Sequence, residues 1–265
     1  MDPLRPLIDA LHSEGRLRVW SLVITVFGDL VQHRGGVIST ARLGAVMSRI
    51  GVEKGALRTA LSRLGRDGWV ESERVGRTSL YRLSPQGLER FAPATSLIYA
   101  PPQTGDVEHW SLYVYLNGSL PSVGLVPEGR APLDADCVVT GRLAEMSPAY
   151  RARILDDEMR AALTALAADI AVLEQAELSE PLDGAAARVM LVHRWRRLVL
   201  RHPEPVRELM PQDAALSDPR AATASVYARV SPLAEAWLDQ AEGGLAAMPA
   251  PDAGLSQRFG LSEGS

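Results

Sequence analysis

The sequence predicts an α+β fold, and three observations lead there. Apolar residues recur three and four apart over long stretches near both ends, as amphipathic helices require. Two short runs of strand-forming residues flank a Gly-Arg pair, as a β-hairpin requires, and the proline- and glycine-rich centre holds further alternating segments. At 265 residues the chain exceeds the usual length of one domain, so several compact units are expected.

Arg16 to Val31 reads as the first helix, with Leu17, Trp20, Val23, Ile24, Phe27 and Leu30 on one stripe and Gly35-Gly36 as its stop. Its apolar run, Val19 to Val31, is interrupted by Asp29 and falls short of the ~20 residues that cross a bilayer. A second helix starts at Thr40, whose hydroxyl is placed to cap it, and buries Leu43, Val46, Met47 and Ile50 before Gly51. Glu53 to Asp67 forms the third, closed by Gly68. Trp69 to Arg74 and Ser79 to Leu83, joined through Gly76, then make the hairpin. Three helices closed by a hairpin are the order of a winged helix-turn-helix module, assigned here to residues 1–90, and Ser84-Pro85-Gln86-Gly87 reads as its end.

Pro93, Pro101, Pro102 and Gly105 mark a linker into a small α/β unit, residues 91–145, with strands at Trp110 to Leu116 and Cys137 to Leu143. Asn117 to Asp136 between them shows no periodicity. Helical spacing returns in Arg151 to Leu178, Gly184 to Leu200 and Thr223 to Ala241, which defines a helical C-terminal domain, residues 146–245. Residues 246–265 read as a disordered tail.

Hydrophobic residues at 46% and charged residues at 23% are those of an ordinary globular protein. The N-terminus lacks the order of a secretory signal, and Cys137 is the only cysteine, so the cytoplasm is the expected compartment and no membrane association is implied. Cys137 itself is expected to be a small buried strand residue. The net charge of -4 conceals an asymmetry: residues 1–95 carry +5 and the remainder -9. A basic segment in an acidic chain is a possible electrostatic footprint for nucleic acid.

Placement of the arginines tests that idea. At about 100° per residue, Leu57, Ala60, Leu61 and Leu64 fall on one arc of the third helix, and Gly55, Arg58, Thr59, Ser62 and Arg66 on the opposite one. The outer arc has no acid and offers two forked donors and two hydroxyls, the groups that read guanine edges and hold phosphates. Gly55 permits close backbone approach, and Lys54, the only lysine, stands at the helix start. A basic helix face alone is ordinary solvated surface, but Arg74, Arg77 and Thr78 on the hairpin add a second cluster suited to flanking phosphates. Nucleotide-binding glycine motifs and serine-nucleophile elbows are absent, so neither an enzyme nor a cofactor is indicated, and no metal is expected. Asp156-Asp157-Glu158 suits a helix start better than a metal.

Gly51-Val52, Leu57-Arg58-Thr59-Ala60-Leu61-Ser62-Arg63-Leu64, Gly68-Trp69, and Gly76-Arg77 through Tyr81-Arg82-Leu83 resemble the winged helix of the PaaX-type family, repressors of phenylacetate degradation. Phe27-Gly28-Asp29 fits the likeness, as does Leu191 to Pro203, although His202-Pro203 stands where the family usually has Asp-Pro. The resemblance implies a homodimer on an inverted-repeat operator in double-stranded DNA, a ferredoxin-like middle domain similar to the CRISPR-associated Cas2 fold, and a helical C-terminal domain. It also implies an aromatic acyl-coenzyme A effector that releases the DNA. The sequence departs in the middle, where Gly118 to Gly129 replaces a basic helix and a Gly-Phe-Gly segment. His193, Arg196 and Arg197, within one helical turn, are the candidate effector contacts, with pairing to acids as the competing role. Two rival functions are a nucleic-acid-processing enzyme using Asp134 or Asp136 with a metal, and an adaptor that uses the winged helix as a protein-docking surface.

Overall fold

The computed structural model describes residues 2–15, 17–116, 121–202, 206–241 and 246–260. Arg16, Gly118, Gly243, Pro203 and the tail beyond Gly260, all named above, lie outside them. Helices and two small antiparallel sheets make up the chain, which divides into two compact units. One comprises Met1–Pro102, Ala165–His202 and Pro219–Ser265; the other comprises Gln103–Thr164 and Pro203–Asp218. This division cuts across the boundaries expected from sequence, because the C-terminal helices pack with the N-terminal hundred residues.

The larger unit opens with α1 (Arg5–Ser13), which the sequence reading passed over, and α2 (Val19–Val26), which runs into a wide helical turn at Phe27–Val31. Strand β1 (Val37–Ser39) leads into α3 (Thr40–Arg49). Its cap is Ser39 rather than Thr40: the Ser39 hydroxyl accepts from the Arg42 amide at 3.1 Å, while Thr40 donates to the Ser79 carbonyl. After Gly51 comes α4 (Lys54–Arg66), which buries Leu57, Ala60, Leu61 and Leu64 as their spacing requires. Strands β2 (Val70–Val75) and β3 (Thr78–Leu83) pair from Val70↔Leu83 to Val75↔Thr78, leaving Gly76-Arg77 as a two-residue turn. Gly76, at φ 60°, supplies the positive φ that the first position of such a turn needs. β1 completes this sheet on the far edge of β3.

Ser84-Pro85 begins a helix instead of ending a domain. The Ser84 hydroxyl accepts from the Gly87 amide at 2.9 Å and Pro85 occupies the first turn of α5 (Pro85–Ile98), where its missing N–H costs nothing. The same two residues signal a stop or a start, and tertiary packing decides between them.

At the centre of this unit lies α8 (Pro181–Val199), buried almost all round from Gly184 to His193 and again at Trp195. It packs against α2, α3, α5 and α9 (Pro219–Asp239). The Trp195 indole donates to the Ile98 carbonyl at 2.8 Å, and Arg49 on α3 bridges Asp183. A helix buried on every side belongs inside a compact unit, and α8 shares this one with the N-terminal elements. The stretch expected to be disordered is also part of this core. Asp252 donates its amide to the His33 carbonyl, α10 (Gly254–Gln257) follows, and Arg258 and Phe259 are buried. Phe259 meets the rings of Tyr99 and Tyr227 edge-on or tilted, with centroids 5.6 and 5.1 Å away. Alternation and helical period do not detect such a segment, because it docks through two side chains.

In the smaller unit, β4 (Trp110–Tyr115) is central, flanked by β5 (Ser122–Pro127) and β6 (Cys137–Gly141), both antiparallel to it. β5 lies in the stretch that showed no periodicity. Its Gly124 faces Tyr113, and a Cβ there would stand 2.2 Å from the tyrosine ring, so the strand carries glycine where alternation predicts bulk. Residues 116–121 alone separate β4 from β5, too few for the helical crossover of a ferredoxin-like domain. Cys137 is exposed rather than buried, since every residue of the edge strand β6 is exposed. The predicted Arg151 to Leu178 helix is two: α6 (Pro148–Ala152) and α7 (Asp157–Gln175). Asp156 caps α7, its carboxylate accepting from the Met159 amide at 2.7 Å.

Candidate nucleic-acid interface

The outer arc of α4 is solvent-facing as the wheel requires: Lys54, Gly55, Arg58, Thr59, Ser62 and Arg66 are all exposed. Among the described residues, Lys54, Arg58, Ser62 and Arg66 make no side-chain hydrogen bond or ion pair, so their donors are unspent. Thr59 donates its hydroxyl to the Gly55 carbonyl at 3.0 Å and keeps only acceptor capacity for a partner. Arg63, one step round the helix, is committed elsewhere: its guanidinium stands 5.8 Å from the centroid of the Trp20 ring and 3.4 Å from Asp67. On the hairpin, Arg74, Arg77 and Thr78 are exposed. Arg74 donates to the Gly76 carbonyl at 3.3 Å across the turn, while Arg77 has no partner among the described residues.

The scaffold behind this face is ionic, and sequence reasoning missed it. Arg42 on α3 donates to the carbonyls of Trp237, Gln240 and Ala246, closing the C-terminal end of α9 with a cation. Arg34 pairs with Glu235 and, at 2.5 Å, with Asp239. Asp29 accepts from Tyr99, Tyr227, Arg188 and Arg258 without reaching solvent. The only signal was the buried acid within the apolar run Val19 to Val31, which demands cationic partners somewhere in the chain.

His193, Arg196 and Arg197 do gather on one side of α8. They line a cleft of about 1290 Å3 whose other walls are the turn after α1, α2 and the flank of α4 at Ala56, Thr59, Ala60 and Arg63. His193 is buried against the Thr25 hydroxyl, 2.9 Å from its Nδ1. Burial, with the positive field of Arg196, Arg197 and Arg194, pushes its pKa down to about 3, so the ring is neutral. Arg196 donates to the Ser21 carbonyl and to Thr25. Arg197 is half exposed and pairs with Glu14 at 3.0 Å. The group lines a cavity, and each member has a neighbour as partner, with only Arg197 pairing to an acid. In the smaller unit, Asp134 accepts from the Tyr115 hydroxyl and Asp136 from the Leu116 amide, so each fixes a loop. No three potential metal-binding side chains cluster among the described residues.

Comparison with known proteins gives two family-model matches in chain order. Residues 18–87 match the model described as PaaX-like protein, and residues 150–240 match PaaX-like protein C-terminal domain. The chain belongs to the PaaX-like family. The first match takes in α2, α4 and the whole β2–β3 hairpin; the second takes in α8 and α9. Within the family, the chain is similar to Transcriptional repressor PaaX of Escherichia coli strain K12, 29% identical over 282 aligned residues that cover 91% of this chain and 89% of the relative. A solved structure, Uncharacterized protein Rv0674 from Mycobacterium tuberculosis, aligns with 82% of this chain and 97% of its own, at 18% identity and a TM-score of 0.47. No helix among the described residues is long and apolar enough to cross a membrane.

Proposed function

We propose that this PaaX-like chain is a DNA-binding transcriptional repressor of phenylacetic acid catabolism, acting in the cytoplasm. In this reading residues 1–90 work as a winged helix-turn-helix. α4 lies in the major groove, where Arg58, Ser62 and Arg66 meet base edges, Thr59 accepts from a base amino group and Lys54 meets the adjoining backbone, while Gly55 lets the helix start approach closely. The β2–β3 hairpin is the wing, with Arg74, Arg77 and Thr78 on flanking phosphates or in the minor groove. Two copies occupy the half-sites of an inverted repeat, and an aromatic acyl-coenzyme A thioester releases them.

One observation carries the reading: on α4, unspent cationic and hydroxyl donors share an exposed arc that contains no carboxylate, opposite an arc of four buried apolar residues. A protein-docking surface would present apolar anchors there, and none is exposed on that arc. The test is a footprint and gel shift on the DNA upstream of the gene and of neighbouring catabolic genes. A short palindrome is protected, and Arg58→Ala weakens that protection without unfolding the protein. Absence of specific protection at moderate salt sinks the proposal.

A further inference from the structure

The last described stretch of the chain has the form of a leash ending in a plug. From Pro249 to Gln257 no residue is buried, and then Arg258 and Phe259 are. Along the leash Arg34 donates to the Pro249 carbonyl at 3.2 Å, and the Asp252 amide donates to the His33 carbonyl at 2.8 Å. At the plug the Phe259 amide donates to the Tyr99 carbonyl at 2.8 Å. The Arg258 guanidinium donates to the Gly28 and Asp29 carbonyls and to the Tyr227 hydroxyl, and lies 4.3 Å from the centroid of the Tyr99 ring.

The receptor is complete without this plug. Asp29 keeps Tyr99, Tyr227 and Arg188 as donors, and the two tyrosine rings keep their own edge-on contact, with centroids 6.1 Å apart. The plug docks under strain. Phe259 is the one non-glycine residue among those described with a positive φ, 53°, in the left-handed region that L side chains disfavour.

We infer that residues 249–260 are a detachable intramolecular ligand, and that Asp29, Tyr99 and Tyr227 form a binding slot for an arginine followed by an aromatic residue. The carboxylate and the backbone carbonyls select the guanidinium, and the paired rings select the aromatic side chain. A short tether presents the plug at an effective concentration on the order of millimolar, so a strained contact is enough to keep the slot filled. Its place suits a control on DNA binding. Tyr99 ends α5, the helix that begins directly after the hairpin strand β3, whereas Gly28, Asp29 and His33 follow α2, which packs on α4. A filled slot ties the end of α5 to the support of α4; an emptied slot releases α5 and with it the hairpin. That consequence rests on the repressor reading, while the slot itself does not. By linkage, operator that prefers the latched form tightens the latch by the same factor.

Hydrogen exchange on the unaltered chain should show the Asp252 and Phe259 amides exchanging at least about tenfold faster than those of α8, since a latch opens without global unfolding. Protection equal to that of α8 makes the segment an integral part of the core and overturns the inference. In the full chain carrying Arg258→Ala and Phe259→Ala, a labelled synthetic peptide of residues 249–260 should bind saturably by anisotropy. It should bind at least about tenfold more weakly to the unaltered chain, whose slot is filled. The same peptide with the two alanines should not bind. Binding that ignores either pair of alanines removes the slot, as does an absence of binding, and a double variant that does not fold contradicts a detachable ligand. Operator affinity of the double variant should fall about fivefold or more and return to within about twofold when the peptide saturates. Unchanged operator affinity overturns the link to DNA binding. If the unaltered chain binds no operator, the repressor reading fails, and the exchange and peptide measurements still decide the slot.

Discussion

Arg188 donates its Nε proton to Asp29 at 2.9 Å, and neither side chain has any solvent exposure. The pair joins the wide turn after α2 to the middle of α8, linking the part that carries the reading helix to the central helix of the same unit. Asp29→Ala leaves Arg188 and Arg258 without that carboxylate in the core. Breaking a buried pair from one side typically costs about 3–5 kcal/mol, a large share of the stability of an ordinary domain. Urea unfolding followed by circular dichroism should show a drop of that size, with a smaller one for Asp29→Asn, which keeps the acceptor oxygen. A loss below about 1 kcal/mol for Asp29→Ala contradicts this account.

Arg58 and Arg77 should separate on salt titration. In the proposed complex Arg58 reads a base, so Arg58→Ala costs about 1–3 kcal/mol on the operator and relaxes discrimination at one position. Arg77 lies on the hairpin turn and neutralises a phosphate, so Arg77→Ala weakens all sequences alike and lowers the slope of log K against log salt by about 1. Fluorescence anisotropy at several salt concentrations on operator and scrambled duplexes distinguishes the two. Identical behaviour of both variants removes the assigned division of roles.

Acid should destabilise the larger unit, and the sign follows from His193. Its folded pKa of about 3 lies below the ordinary 6.5, so on acidification the unfolded chain takes up a proton that the folded chain refuses. Stability is therefore complete above pH 6.5 and declines as pH falls toward 3, by up to about 1.4 kcal/mol per unit for one group. His33, also lowered by burial, acts in the same direction. Glu235, held far below 4.5 by His33 and Arg188 in spite of its burial, adds a further loss only at lower pH. Thermal melts from pH 7 to 5 should show falling midpoints, and His193→Gln should flatten the trend. An unchanged slope in that variant rules His193 out as the group responsible.

How much of this was legible in the sequence depends on the kind of contact involved. The outer and inner arcs of α4 follow from helical period alone, and the hairpin follows from a Gly-containing turn between two strand-like runs. Both are local signals, and both survive folding. β5 was invisible because Gly124 answers to the ring of Tyr113 across the sheet, a requirement that the strand's own pattern does not contain. The arginines were visible as charge, but their division was not: Arg42 and Arg188 turn inward to carbonyls and carboxylates supplied from far along the chain, while Arg58 and Arg66 stay outside. Arg18 and Trp20 looked like the start of a helix, and only packing against α4 and α8 makes them a cleft wall.

Arg258 also bears on the order in which the protein can be made. Its guanidinium donates to the Asp29 carbonyl across 229 positions of sequence. At translation rates of 5–20 residues per second, about 10–50 s separate the two residues on the ribosome. The segment bearing α4 waits with the surface meant for α8 uncovered until Arg188 and its helix are made, and the set of donors to Asp29 stays incomplete until Arg258 follows. A nascent chain in that condition is a substrate for chaperones, and newly made repressor should become competent for its operator only after release.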